Sequence, residues 1–301
     1  MKKRTLTARF LCVCLAIGTL CTGCGKDDTK TEQETTEKTE TTSEAAAETS
    51  IEETVLVDEQ DVKVTAKRFG EYKEEVYSAD QALIMEVENN TDKKISVALR
   101  NSSVNGYMVD TEFSRDFEPG ETGIFPGVFN ESTLEYCGIE TVSEIEFSVE
   151  VTSYTKVSEE EEETEVIIET DPITICTSEW DTYMNAFDES GTVAYDKDGI
   201  KIVVRDAVTD DILGAEIPIY VSNQTDKFIS VGAFEGELNV KKTEIYYGAD
   251  VLPGKHSVNL LGPSIDEALE KIDSAKLTFS IMDFETGETI VEKTEPLSIT
   301  Y

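Results

Sequence analysis

The chain has 301 residues, enough for two domains, with 26 Lys and Arg against 63 Asp and Glu, a formal net charge of −37. Such a balance repels phosphate, so no nucleic-acid partner is expected, and any membrane contact has to be hydrophobic. Apolar residues are 39% of the chain, below the usual ~45–50%, and the deficit is concentrated between Gly25 and Glu53.

The first element is an export signal. Lys2-Lys3-Arg4 is a basic start, and Phe10 to Ile17 begins an apolar run too short to span a membrane comfortably. The run ends at Cys21-Thr22-Gly23-Cys24-Gly25, which resembles the lipobox of bacterial lipoproteins. Cys21 stands where that motif usually has Leu. An ordinary secretory signal with an incidental cysteine is the competing reading. The resemblance implies removal of residues 1–23, lipidation of Cys24 with palmitate-type chains, and attachment to the extracytoplasmic face of the cell membrane. Two buried acyl chains hold stably where one is marginal. Residues 24–53 are rich in Thr, Glu, Lys, Ser and Ala without apolar periodicity. They are expected to form a disordered tether spanning on the order of 30 Å.

Beyond the tether the chain repeats itself. Asn89-Asn90-Thr91-Asp92-Lys93-Lys94-Ile95-Ser96-Val97 returns as Asn223-Gln224-Thr225-Asp226-Lys227-Phe228-Ile229-Ser230-Val231, identical at seven of nine positions. Val62-Lys63-Val64 aligns with Ile200-Lys201-Ile202 at an offset of 138, Pro119-Gly120 with Pro253-Gly254 at 134, and Phe147-Ser148 with Phe279-Ser280 at 132. Thr170 to Ile173 aligns with Thr294 to Leu297 at 124. The falling offset places one copy at 54–176 and a shorter one at 193–301, joined by a linker at 177–192. Five consecutive Glu, Glu159 to Glu163, read as a solvated hairpin tip in the longer copy.

Each copy alternates with period two. Leu83, Met85 and Val87 form one face, as do Ile200, Ile202 and Val204, Ile217, Ile219 and Val221, Phe147, Val149 and Val151, and Phe279 and Ile281. Pro218 removes a ladder donor, which places its strand at an edge or turns its N–H outward. The pattern predicts an all-β chain of two tandem antiparallel β-sandwiches with short helical insertions. One insertion is a helix opened by the capping box Ser264-x-x-Glu267, with a copy-one counterpart at Ser132-x-x-Glu135 that Gly138 should end early. The other is the linker, where Trp180, Tyr183, Met184 and Phe187 form an apolar stripe at helical spacing.

Ser103 to Val109, then Phe113-Ser114 and Pro119-Gly120, resemble a repeat found in uncharacterised lipoproteins of clostridial Gram-positive bacteria, and Gly191 to Lys201 looks like the start of the same unit. The chain is similar there to the extracytoplasmic immunoglobulin-like domains of Gram-positive lipoproteins, a group that includes a secreted mycobacterial immunoprotective antigen. The resemblance implies a fold and a location; it carries over no catalytic residue. Copy two departs from it at Glu237-Leu238-Asn239-Val240.

The residues themselves point to no catalytic constellation, metal site or cofactor. His256 is the one histidine and is expected on the surface near a strand start. Asp196-Lys197-Asp198-Gly199 imitates a calcium loop, but Ala207 stands at the twelfth position where Glu is needed; it reads as an interstrand turn. Cys137 and Cys176 remain after processing, and whether they pair is open. The expected function is that of a lipid-anchored surface protein acting as a spacer or protein-interaction module, without catalysis, toward an unknown surface protein or cell-wall component. The alternative is a carbohydrate or cell-wall ligand binder, with Tyr107, Trp180, Tyr246 and Tyr247 as candidate stacking residues.

Overall fold

The computed structural model describes residues 49–301 except 75–77, 112–113, 157–161, 184–185, 211–213 and 264–267. Cys24, the signal and nearly all of the tether fall outside the described residues, as do Phe113, Met184, most of the Glu run and the second capping box. The described part is nearly all β, 64% strand with one helix. The first copy runs β1 (Thr54–Glu59), β2 (Val62–Lys73), β3 (Ser78–Asn89), β4 (Ile95–Val104), β5 (Tyr107–Met108), β6 (Ser114–Phe117), β7 (Thr122–Val128), α1 (Glu131–Cys137), β8 (Glu144–Lys156), β9 (Glu162–Glu169) and β10 (Ile173–Cys176). One sheet has the antiparallel order β1-β2-β3-β7. In the other, β4 pairs with β8, β5 and β6 share the free edge of β4, and β9 and β10 share that of β8. The inner faces of both meet in one core, where Val64, Leu83, Met85 and Val87 pack with Val97, Phe147, Val149 and Val151. Period-two alternation puts one face of each strand into that core and leaves Lys63, Lys67, Glu86 and Glu88 outside as cross-strand ion pairs.

The second copy repeats the plan with β11 (Thr192–Lys197), β12 (Ile200–Val204), β13 (Val208–Asp210), β14 (Gly214–Asn223), β15 (Ile229–Leu238), β16 (Lys241–Val251), β17 (His256–Pro263), β18 (Ser274–Leu277), β19 (Ser280–Asp283), β20 (Thr289–Val291) and β21 (Leu297–Thr300). β11-β12-β14-β17 matches the first sheet of copy one, with β13 in a short hairpin on β14. β15 lies between β16 on one side and β18 and β19 on the other, which in turn carry β21 and β20. Ile202, Ile219, Val221, Val231, Phe279 and Ile281 fill this copy's own core.

The two copies differ from the sequence alignment by a two-residue slip. Val97 faces Val151, and its counterpart Val231 faces Ile281, so the true offset here is 130, not 132. Hydrogen bonds agree: Val149 N–H donates to Thr170 Oγ1 at 2.9 Å, and Phe279 N–H to Thr294 Oγ1 at 3.0 Å. Shifting a strand by two keeps every side chain on its own face, so alternation could not detect the slip.

The repeated stretch is a turn built on a buried asparagine. Asn89 Nδ2 donates to the carbonyls of Lys93 (2.9 Å), Phe117 and Glu118 (both 3.0 Å), and its Oδ1 accepts from Thr91 N–H and Oγ1 at 3.1 and 2.7 Å. Asn223 does the same with Lys227 O and Val251 O at 2.8 Å and with Thr225 N–H and Oγ1 at 3.0 and 2.7 Å. The turn carries the chain from one sheet to the other. A second pair does similar work: Asn105 Nδ2 donates to Thr141 O, Asn239 Nδ2 to Lys271 O, and each Oδ1 collects backbone N–H groups from the segment ahead of the next strand.

After Asn105 comes Gly106 at φ 81°, and after Asn239 comes Val240 at φ 65°. A β-branched residue is poorly suited to that left-handed region, and Val240 is exposed, so packing does not require it. Val240→Gly is expected to raise stability by about 1 kcal/mol, read as a higher urea midpoint; an unchanged or lower midpoint would contradict the strain.

Elsewhere some expectations hold and others are corrected. α1 ends at Gly138, which has φ 71° and donates to Glu135 O and Leu134 O, as expected, but its N-cap is Asn130 and Ser132 lies inside the helix. The described part of the second insertion, Ala268 to Ile272, is not helical. Neither is the described part of the linker, where Trp180 N–H donates to Thr177 O and Tyr183 N–H to Glu179 O in isolated turns. Ser178 is pinned to Ser50 by bonds in both directions, and Phe187 is drawn into an aromatic stack, so the stripe is pulled apart. Pro218 is on an inner strand; β12 has ended at Val204, and Pro218 O accepts Arg205 N–H at 3.0 Å, so the missing donor falls beyond the ladder. Asp198 and Gly199 form the β11–β12 turn. Cys137 and Cys176 are free thiols, one buried and one exposed.

Candidate functional site

The outer face of the β12-β14-β17 sheet is apolar where it meets copy one. Val203, Tyr220 and Val258 belong to the first copy's core cluster, beside Tyr107, Val109, Leu134 and Cys137. His256 N–H donates to Gly106 O at 3.0 Å, and β5 meets β17 in a single parallel pairing. Arg205 donates to Tyr136 O at 3.1 Å and to Asp188 O, while Lys255 pairs with Glu146 at 3.0 Å. Each bond crosses from the second copy or its linker to the first, apart from Arg205 to Asp188, which ties the linker down.

His256 is the centre of this contact. It is 6% exposed, against the expected surface position, because the strand start that carries it is the edge docked onto β5. Its ring stacks on Phe187 at 3.6 Å between centroids, with Tyr107 and Tyr220 at 6.0 and 5.7 Å. Tyr220 Oη lies 2.7 Å from His256 Nδ1. Burial holds the imidazole below its usual range, down to about 4; the Glu189 carboxylate opposes this and Lys255 adds to it. The phenol also reaches Glu189 Oε1 at 3.3 Å, so its one proton lies between that carboxylate and Nδ1 of the neutral ring. Burial and the Glu189 charge push the Tyr220 phenol up, and burial pushes the Cys137 thiol up to about 12, so the thiol stays protonated and unreactive. No nucleophile is activated here, and the cluster serves as a joint.

Beside the joint the copies part to form a cleft of about 790 Å³, within the range of small-ligand sites. Copy one contributes Arg100, Asn101, Ser102 and Asp110; copy two contributes Phe228, Gly248, Asp250, Ser257 and Phe284, among others. A bulge in β4 between Arg100 and Ser103, with Asn101 at φ 54°, shapes the first wall. Ser102 Oγ is buried with no hydrogen-bond partner among the described residues. Ser257 Oγ is buried too, next to the Tyr247 phenol. Phe228 and Phe284 stand 4.3 Å apart at one end, and Phe284 is half exposed.

The four aromatic residues singled out from sequence do not assemble. Tyr107 is buried in the joint and Tyr247 in the second core against Phe279, so neither offers a ring face to solvent. Trp180 is exposed on the linker, near Ser50 and Cys176, and Tyr246 is exposed on β16. Phe228 and Phe284 escaped notice because each sits next to a turn. The signal that marks Phe228 is that it replaces Lys94, one of only two differences in the repeated stretch. Among the described residues no group of three or more His, Cys, Asp or Glu is placed to hold a metal ion. Comparison with protein-family models and with curated proteins found no match.

Proposed function

We propose that the protein is a lipid-anchored extracytoplasmic surface protein whose two immunoglobulin-like β-sandwiches form a single head that acts as a spacer and protein-interaction module, without catalysis. The observation that carries the reading is the joint: the copies bury a shared apolar surface around Tyr220 and Val258, which suits a head presented as one body at the end of a tether. Strand order supports the immunoglobulin-like fold. β2, β3 and β7 make one sheet in that order and β6, β4, β8 and β9 the other, a Greek-key order of that class once the two-residue β5 is set aside. The resemblance of residues 103–120 and 191–201 to clostridial lipoprotein repeats agrees with it.

The described part of the chain begins beside the linker, where Ile51 bridges Thr177. Cys24→Ala is expected to move the protein from the membrane fraction to the medium or to leave it unprocessed, scored by cell fractionation and blotting. A Cys24→Ala protein of mature size that stays in the membrane fraction would overturn the anchor. The cleft favours a second reading, ligand binding by the same head.

A further inference from the structure

We infer that the cleft between the two copies is a binding site for a neutral, polyhydroxylated saccharide. The inference rests on the head being an interaction module and names what it engages.

The first observation is a divergence inside the chain. Asn89 and Asn223, with their hydrogen bonds, are the same in both copies. At the position that faces the cleft they part. In copy one, Lys94 pairs with Asp116 at 2.7 Å and lies over the Tyr154 ring at 5.0 Å. Their structural counterparts in copy two are Phe228 and Phe284, joined by the same backbone bond, Phe284 N–H to Phe228 O at 2.8 Å against Tyr154 N–H to Lys94 O at 2.9 Å. A lysine over a tyrosine ring has become an aromatic pair where the turn borders the cleft, while the counterpart of Asp116, Asp250, is kept and lines the same cleft. Stability does not call for this, since copy one folds around the same turn without it.

The second observation is Ser102, 5% exposed, with a hydroxyl that has no partner. A buried orphan of this kind costs stability unless something completes it, and the cleft it borders is also lined by Asp110 from its own copy and Asp250 from the other. Aromatic faces stack on the C–H faces of a sugar ring. Carboxylates and serine hydroxyls take the hydroxyl protons. The two carboxylates, against one Arg100 already paired with Glu150 at 2.8 Å, disfavour sulfated and uronate sugars. A side chain built at Gly248 would meet nothing within 4 Å, so the cleft can be filled there without disturbing the core.

The test uses the full chain in a detergent lacking a sugar headgroup, titrated calorimetrically with tetrasaccharides of N-acetylglucosamine, glucose and mannose, and with a sulfated heparin-type tetrasaccharide. At least one neutral probe should bind, the sulfated probe should not, and Phe284→Ala and Gly248→Leu should each weaken binding by about tenfold or more. Both variants should keep the thermal unfolding of the parent. No binding by any neutral probe, equal binding of the sulfated probe, or binding indifferent to both variants would overturn the assignment. Fractionation of the Cys24→Ala protein reads the anchor separately, so failure here leaves that result standing.

Discussion

Tyr220→Ala is expected to uncouple the two copies and to lower the stability of the head by about 3–5 kcal/mol, the range for removing a large buried side chain. Tyr220 is fully buried and contributes to the core of copy one although it is part of copy two. Its loss opens a cavity between the copies and removes the partner of His256 Nδ1. The second core around Ile202, Val231 and Ile281 does not include it. A single denaturant transition should therefore divide into two, followed by tryptophan fluorescence and far-UV circular dichroism. A variant within about 0.5 kcal/mol of the parent, with one transition, would remove the joint from the account. Acid acts on the same cluster. The folded His256 resists protonation down to about 4, while the unfolded chain takes up its proton near 6.5, so the unfolded state binds the extra proton in between. The stability from a neutral His256 is fully present above about pH 6.5 and is lost as pH falls toward 4, by about 3 kcal/mol. In Tyr220→Ala that acid loss should shrink, because water can then reach the ring.

The second large effect is expected at the repeated turn. Asn223→Ala deprives the buried carbonyl of Val251 of a donor, takes a second donor from Lys227 O, and removes the acceptor of Thr225 N–H and Oγ1. With each buried orphan costing about 1–3 kcal/mol, a loss of about 3 kcal/mol or more follows. Asn223→Asp should do no better, because a carboxylate cannot donate to carbonyls. Gln224→Ala, one residue on and exposed, should stay within about 0.5 kcal/mol. Urea midpoints of the three variants check the order; equal effects at 223 and 224 would show that the asparagine side chain does not hold the turn.

The turn shows what was legible beforehand and what was not. Its repetition revealed two copies, and its asparagine, threonine and aspartate announced a turn, yet the sheet-to-sheet crossing that buries Asn89 and Asn223 is a long-range fact. The same limit explains the register. Period two placed Phe147, Val149, Phe279 and Ile281 on inner faces correctly, and it is blind to a shift of two, so the offset of 130 needed the pairing of Val231 with Ile281.

Sequence alone determined the class of the chain: alternating strands, two copies, and a helix stopped by Gly138. These follow from local rules, in which a residue's backbone preference or its periodicity decides. Tertiary structure alone decided the joint and the cleft. His256 is buried because another domain's edge covers it, the described ends of the linker are held apart by contacts to Ser50 and His256, and Phe284 meets Phe228 across 56 residues of chain. Each depends on which surface arrives opposite a side chain, and no pattern within one strand carries that information.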